Sequence, residues 1–218
     1  LRRMRACGMV RFVKTKPTAI NALFQVPKGD GTYRLIVDCR WANSYFEKPP
    51  KLDLISPEDL AGVQFEPERR VFVGHCDISN CFHKLALPGW AQQFFGLPAV
   101  QGALLGEAEG LVWPVLLSLP MGWSHSPFLA QKVHEEVLRR AGVLHDKARM
   151  RPGKNSVHVL EDLLYFAYID DLGILGYDSD RVDAVLAAMI KAYADVGLPT
   201  KPSKTVWASD KGVNLLGI

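Results

Sequence analysis

A chain of 218 residues that is 48% hydrophobic has ample material for a packed core, as one large domain or two small ones. No run approaches the roughly 18–20 consecutive apolar residues of a membrane span, and Leu1-Arg2-Arg3-Met4-Arg5 lacks the apolar stretch of a secretory signal. A soluble intracellular protein, cytoplasmic or nuclear and without a membrane partner, is therefore expected, and its formal charge of +3 by itself identifies no partner.

Residues 1–16 hold six bases (Arg2, Arg3, Arg5, Arg11, Lys14, Lys16) and no acid, a basic arm suited to phosphate contact or simply to solvation. Beyond it, Ile20–Pro27 reads as a strand, Lys28-Gly29-Asp30-Gly31 as a tight turn and Tyr33–Asp38 as the returning strand of a hairpin. Pro49, Pro50 and Pro57 mark an irregular connection, with Ser56 capping a short helix through Gln64 and a linker over Phe65–Arg70. The run Val71–Cys76 predicts a strand delivering Asp77 at its C-terminal end, with a brief helix over Ser79–Phe82.

Residues 96–110, rich in Gly and Ala, are expected to loop out before a strand over Leu111–Leu119. Pro127 starts a helix to about Arg140, with Leu129, Val133, Val137 and Ala141 along one side. Arg149–Ser156 reads as a surface loop. Leu163–Ile169 and Leu172–Gly176 are apolar strands separated by Asp170-Asp171, the spacing of a two-residue hairpin loop. Ser179 or Asp180 caps a helix through Asp195 that Gly197 ends, and strands over Thr205–Ala208 and Val213–Ile218 close an α+β order of elements.

Two adjacent acids at the tip of an apolar hairpin repel one another, which raises their pKa values unless a cation offsets the charge. Magnesium takes oxygen ligands, commonly one or two carboxylates with water and phosphate completing the shell, and Asp77 at a strand end could join Asp170 and Asp171 in such a site. Two ions there would suit in-line phosphoryl transfer. Taken singly, Asp170-Asp171 reads as a solvated turn, and Asp77 could be a helix cap. His75, Cys76, Cys81 and His83 crowd together, but strand alternation sends His75 and Cys76 to opposite faces, and the spacing fits no zinc pattern. With Cys7, Cys39, Cys76 and Cys81 forming no CxxC pair, free thiols are expected.

Tyr168-Ile169-Asp170-Asp171 resembles the Tyr-x-Asp-Asp signature of reverse transcriptases, and Val73–Phe82 resembles their first palm motif. In the same family order, Leu119–Pro127 resembles the loop and helix start beneath the nucleotide and template, and Gly197–Thr205 the segment after the palm helix. Val213–Ile218 resembles the primer-gripping hairpin, while Lys28–Arg34 and Val37–Asn43 resemble the fingers hairpin and its continuation. These matches imply a retroelement reverse transcriptase, a right-hand polymerase of fingers and palm with an antiparallel palm sheet backed by helices and no thumb. The implied organisation is a basic arm (1–18), fingers hairpin and connection (19–70), and a palm with the primer-grip segment at its end (71–218).

The resemblance further implies that Asp77 and Asp170 bind two magnesium ions, manganese serving as a substitute, with Asp171 assisting and the Ile78 carbonyl adding an oxygen. It assigns Lys28 and Arg34 to the triphosphate, an arrangement that suits the guanidinium fork, and places Asn80, Cys81, Met121 and Gly122 around the nucleotide. Phe82 stands where the family sets a ring against the sugar, excluding a 2′-hydroxyl and so favouring DNA synthesis over the RNA synthesis of an RNA polymerase. Lys204 matches a lysine that protonates departing pyrophosphate, provided its pKa is lowered. Met121 replaces the Gln, and Asn80 the Asp, of many retroviral members. The expected partners are a primed RNA or DNA template, deoxynucleoside triphosphates and the missing thumb or RNase H region of the same polyprotein. The rival reading is a non-catalytic nucleic-acid-binding relic of the same fold.

Overall fold

The computed structural model describes residues 1–29, 31–107, 109–153, 158–211 and 215. In chain order these form helix Arg2–Ala6 (α1), strands Val10–Val13 (β1), Ala22–Pro27 (β2) and Tyr33–Asp38 (β3), and short helices Arg40–Asn43 (α2) and Pro57–Ala61 (α3). Strand Phe72–Asp77 (β4), the helical turn Cys81–Lys84 (α4), strands Val100–Gln101 (β5) and Leu111–Leu116 (β6), and the long helix Ser126–Ala141 (α5) follow. Strands Leu163–Tyr168 (β7) and Asp171–Gly176 (β8), helix Ser179–Asp195 (α6) and strand Val206–Ser209 (β9) complete the order. The chain divides into two compact units, Leu1–Pro50 with Phe82–Pro127, and Lys51–Cys81 with Phe128–Ile218. No helix among the described residues is long and apolar enough to cross a membrane.

In the first unit, β1, β6 and β5 form an antiparallel sheet, and β2 and β3 form the hairpin that the turn signals predict. The hairpin register runs from Ala22 opposite Asp38 to Pro27 opposite Tyr33, and Lys28 N–H donates to the Thr32 carbonyl at 2.8 Å. Asp30 of the predicted turn lies outside the described residues. The basic N-terminal stretch folds back: Val10–Val13 pairs with β6, and Arg5 forms an ion pair with Glu107. The segment 96–110 does not simply loop out, because Val100 and Gln101 pair with Val112 and Leu111. β6 ends at Leu116, short of the predicted Leu119: Leu117 N–H still bonds the Met9 carbonyl next to β1, but Leu119 N–H turns to the Leu85 carbonyl.

In the second unit the strand order is β7-β8-β4-β9, antiparallel throughout. α6 buries Val182, Leu186, Met189 and Tyr193, a helical stripe of spacing four, three and four. Each such burial contributes about 1.5–3 kcal/mol. The helix packs close because β4 carries Gly74, where an added Cβ would stand 2.9 Å from Val182. Its cap is Asp178, one residue before the predicted Ser179, because the Asp178 carboxylate accepts from the amides of Asp180 and Arg181 at 2.9 and 3.2 Å. Ser56 caps α3 as predicted, in a reciprocal box with Asp59. That helix stops at Ala61 rather than Gln64, whose amide instead bonds the His158 carbonyl.

Two further expectations fail for instructive reasons. The buried face of α5 is Ala130, Gln131, His134, Val137 and Leu138, whereas Val133 is exposed. Of the predicted surface loop Arg149–Ser156, Met150 is buried and Arg149 pairs with Glu135, while residues 154–156 lie outside the described residues. The predicted strand over Val213–Ile218 lies outside them too, except for Leu215, which is buried in the second unit's core with Ile55, Leu160 and Phe166. The α+β class with antiparallel sheets is as the sequence predicts.

Candidate active site

β4 and β8 run antiparallel in a register that sets Asp77 directly opposite Asp171. β7 and β8 pair down to Tyr168 opposite Asp171, so the two loop residues of the hairpin are Ile169 and Asp170, not Asp170 and Asp171 as the apolar runs suggest. The loop is one residue earlier because Asp171 belongs to the ladder. Ile169 takes the positive φ, +55°, that a tight hairpin demands. The Asp170 carbonyl accepts from the Ile78 amide at 2.8 Å, tying the hairpin tip to the end of β4.

All three carboxylates thus meet at one end of one sheet. Burial, then the charges of Asp171 and Asp77, raise Asp170 to about 6. Lys204 Nζ sits 2.8 Å from Asp77 Oδ2, and His75 Nε2 lies 3.1 Å from Asp171 Oδ1. The Lys204 segment is held by Lys201 N–H to the Asp77 carbonyl at 2.9 Å and Ser79 N–H to the Pro199 carbonyl at 2.8 Å. The hydrogen bond that Lys204 donates to Asp77 raises the Lys204 pKa, so the lowered value expected of a ready proton donor is not what this geometry produces. Ile78 is buried, Asn80 takes a left-handed φ of +53° that asparagine tolerates, and Cys81 is buried behind the carboxylates. The helical turn follows at Cys81–Lys84, later than the predicted Ser79–Phe82, because that bend at Asn80 precedes it.

The donor chemistry fits a hard divalent cation. Three carboxylates stand at one sheet end with the Lys204 ammonium on one of them, and the nearby Cys76 and Cys81 thiols are pushed up to about 12, chiefly by burial and further by these acids. The three carboxylates are not gathered around a common point: among the described residues no three His, Cys, Asp or Glu groups form a ready cluster.

The other predicted residues lie in the first unit. Lys28 and Arg34 are exposed on the β2–β3 hairpin, and the Lys28 charge, after burial, lowers the pKa of His83, the neighbour of partly buried Phe82. Met121 accepts from Val37 N–H at 2.8 Å. Gly122, at φ +133°, passes so close to β3 that a Cβ would stand 2.0 Å from the Val37 carbonyl oxygen.

Four residues of the second unit have partners at the site that the sequence does not announce. His75, weighed above only for zinc, was available from alternation, since it shares a strand face with Asp77. Gln131, His134 and Tyr193 gave only a weak signal, because α5 also carries Lys132, Glu135, Glu136, Arg139 and Arg140 and two more polar residues do not stand out there. Gln131 Oε1 accepts from Ile169 N–H at 2.7 Å, and its Nε2 donates to the Ala167 carbonyl at 3.1 Å. His134 Nδ1 lies 3.0 Å from the Ile169 carbonyl and its Nε2 lies 2.6 Å from the Tyr193 hydroxyl.

Comparison with known proteins bears on the family and the fold. Residues 26–218 match the family model described as reverse transcriptase (RNA-dependent DNA polymerase). The chain is 25% identical over 189 residues to a Gag-Pro-Pol polyprotein of Human T-cell leukemia virus 3 (strain 2026ND), covering 85% of this chain and 11% of the relative. Against that of strain Pyl43 it is 25% identical over 201 residues, covering 90% and 12%. It thus spans about an eighth or less of these relatives' length. Among solved structures, the foamy viral protease-reverse transcriptase in complex with double-stranded DNA superposes with a TM-score of 0.68 at 18% identity, covering 98% of this chain and 31% of that one. The fold is that of the fingers and palm of such enzymes, and the chain belongs to the reverse transcriptase (RNA-dependent DNA polymerase) family.

Proposed function

We propose that this chain carries the nucleotidyl-transfer centre of an RNA-directed DNA polymerase within a retroelement polyprotein, acting on a primed template and deoxynucleoside triphosphates. The observation that carries the reading is the meeting of Asp77, Asp170 and Asp171 at one sheet end through the β4–β8 register. Asp77, Asp170, Asp171 and the Ile78 carbonyl would hold two magnesium ions, or manganese in their place. Such ions, when bound, neutralise the carboxylates and lend Lewis-acid stabilisation to the attacking and leaving oxygens of phosphoryl transfer.

The chain's own groups do the rest. Lys28 and Arg34 bind triphosphate oxygens from the fingers hairpin. Phe82 sets a ring against the sugar, with Asn80, Cys81, Met121 and Gly122 shaping the nucleotide's surroundings. Lys204 stays protonated while it touches Asp77, so protonation of departing pyrophosphate requires it to leave that carboxylate. In organisation, residues 1–18 are a basic arm, 19–70 the fingers hairpin and connection, and 71–218 the palm with the primer-grip segment at its end.

Primer extension by purified protein with magnesium, on RNA and DNA templates and with deoxy- or ribonucleotides, tests this. Extension with deoxynucleotides on an RNA template is expected. No extension even with the downstream polyprotein region supplied sinks the activity, and extension that survives Asp170→Ala sinks the site.

A further inference from the structure

Ile169 is a β-branched residue held at φ +55°, a left-handed conformation that such residues avoid, immediately before Asp170. Strain of this kind persists only where the surroundings over-determine it. Both backbone polar groups of Ile169 are engaged from α5: its N–H by Gln131 at 2.7 Å and its carbonyl by His134 at 3.0 Å. A carbonyl oxygen can only accept, so His134 must carry its proton on Nδ1, which leaves Nε2 as an acceptor. The group facing Nε2 is the Tyr193 hydroxyl at 2.6 Å, which donates to it. His134 is 1% exposed and Tyr193 is fully buried, so the bond between them has no water as a rival.

From this geometry we propose that His134 and Tyr193 are positioning residues for the catalytic hairpin. Tyr193 on α6 fixes the imidazole tautomer, the imidazole on α5 fixes the Ile169 carbonyl, and Ile169 in turn aims Asp170 and Asp171. The relay joins the two long helices of the second unit to the hairpin tip without either side chain touching nucleotide. Bonds of this outer kind orient the groups that bind ligands, and losing one commonly lowers metal affinity or activity by roughly 10–100-fold. The inference rests on the polymerase reading for its kinetic consequence, but not for its structural one.

The test compares Tyr193→Phe, which removes one oxygen and keeps the ring, with His134→Leu and His134→Gln, the last retaining an N–H donor. Histidine-selective nitrogen NMR on wild type should show His134 as the neutral Nδ1–H form. Tyr193→Phe should mix the tautomers and shift the amide resonances of Ile169, Asp170 and Asp171. In primer extension kcat should fall about tenfold or more in Tyr193→Phe and His134→Leu with KM for deoxynucleotide little changed, and His134→Gln should recover much of it. Variants that melt earlier yet keep wild-type kcat and unmoved tip resonances would overturn the proposal, leaving plain core residues. If wild type extends no primer even with the downstream polyprotein region supplied, the polymerase reading falls, and the positioning claim stands or falls on the tautomer and the tip resonances alone.

Discussion

At Asp170 burial and two neighbouring carboxylates act in one direction, all disfavouring its ionised form. On the proposed reading, a residue kept there against its own electrostatics serves a ligand with its charge. Asp170→Asn keeps the shape and removes the charge, so the variant should melt at a higher temperature than wild type in chelator. A divalent cation should raise the wild-type melting temperature and leave the variant unmoved, because only the former gains binding free energy. The same substitution should lower extension on the order of a thousandfold, since several kcal/mol of transition-state stabilisation are lost. A variant less stable than wild type in chelator would show that Asp170 is a structural acid. Phe82 is the residue on which the proposed sugar choice turns. Its ring is only partly buried, leaving a face for a ligand. Phe82→Val should raise ribonucleotide incorporation relative to deoxynucleotide by roughly 10- to 100-fold. An unchanged ratio removes the sugar-exclusion role.

The hairpin and the helix behind it show what a sequence reveals at the scale of elements. The apolar runs on either side of Asp170-Asp171 announce two strands and their pairing, and the strand before Asp77 is equally plain. What they hide is the register: Asp171 pairs as a strand residue, and the loop slides back onto an isoleucine that no turn rule would choose. α5 misleads for a related reason. Its apolar residues point to Val133, but the buried face carries Gln131 and His134, whose burial is tolerated only because Ile169 and Tyr193 satisfy them. No local pattern reports partners 35 and 59 residues away. Burial lowers the His134 pKa to about 4, against smaller opposing effects from the Ile169 carbonyl, Glu135 and Asp171 and a reinforcing one from Arg149. A depressed folded value means that the neutral ring contributes stability fully above about pH 6.5, lost as pH falls toward 4. Between pH 7 and 5 unfolding in urea should show wild type losing about 2 kcal/mol more than His134→Gln. The comparison with the variant is the reading, because Asp170, raised to about 6, works in the opposite sense over the same interval. Equal slopes for the two proteins would mean that His134 is not held neutral.

Charge is partitioned across the whole molecule in a way that the net +3 conceals. The first unit has eleven Lys and Arg against five Asp and Glu, and the second has fifteen against eighteen. The first is therefore strongly cationic and the second mildly anionic. A polymerase needs both: cations for the phosphates of template and nucleotide, and a concentration of acids that only a metal-loaded site makes tolerable. Lys14 and Lys16, exposed just beyond β1, belong to the first set. Arg181 and Lys191 on α6 belong to the second and are already paired with Asp162 and Asp195. Each phosphate-neutralising cation releases counterions on binding, so the logarithm of affinity falls with the logarithm of salt concentration. Replacing Lys14 and Lys16 together with Gln should weaken primer-template binding and flatten that dependence by roughly one for each phosphate no longer neutralised. Replacing Arg181 and Lys191 should change neither, because those charges are engaged by carboxylates of their own unit. Fluorescence anisotropy over a potassium chloride series measures both slopes. If the α6 pair flattens the slope and the pair beyond β1 does not, nucleic acid lies on the anionic unit and the assignment of phosphate binding to the first unit is wrong.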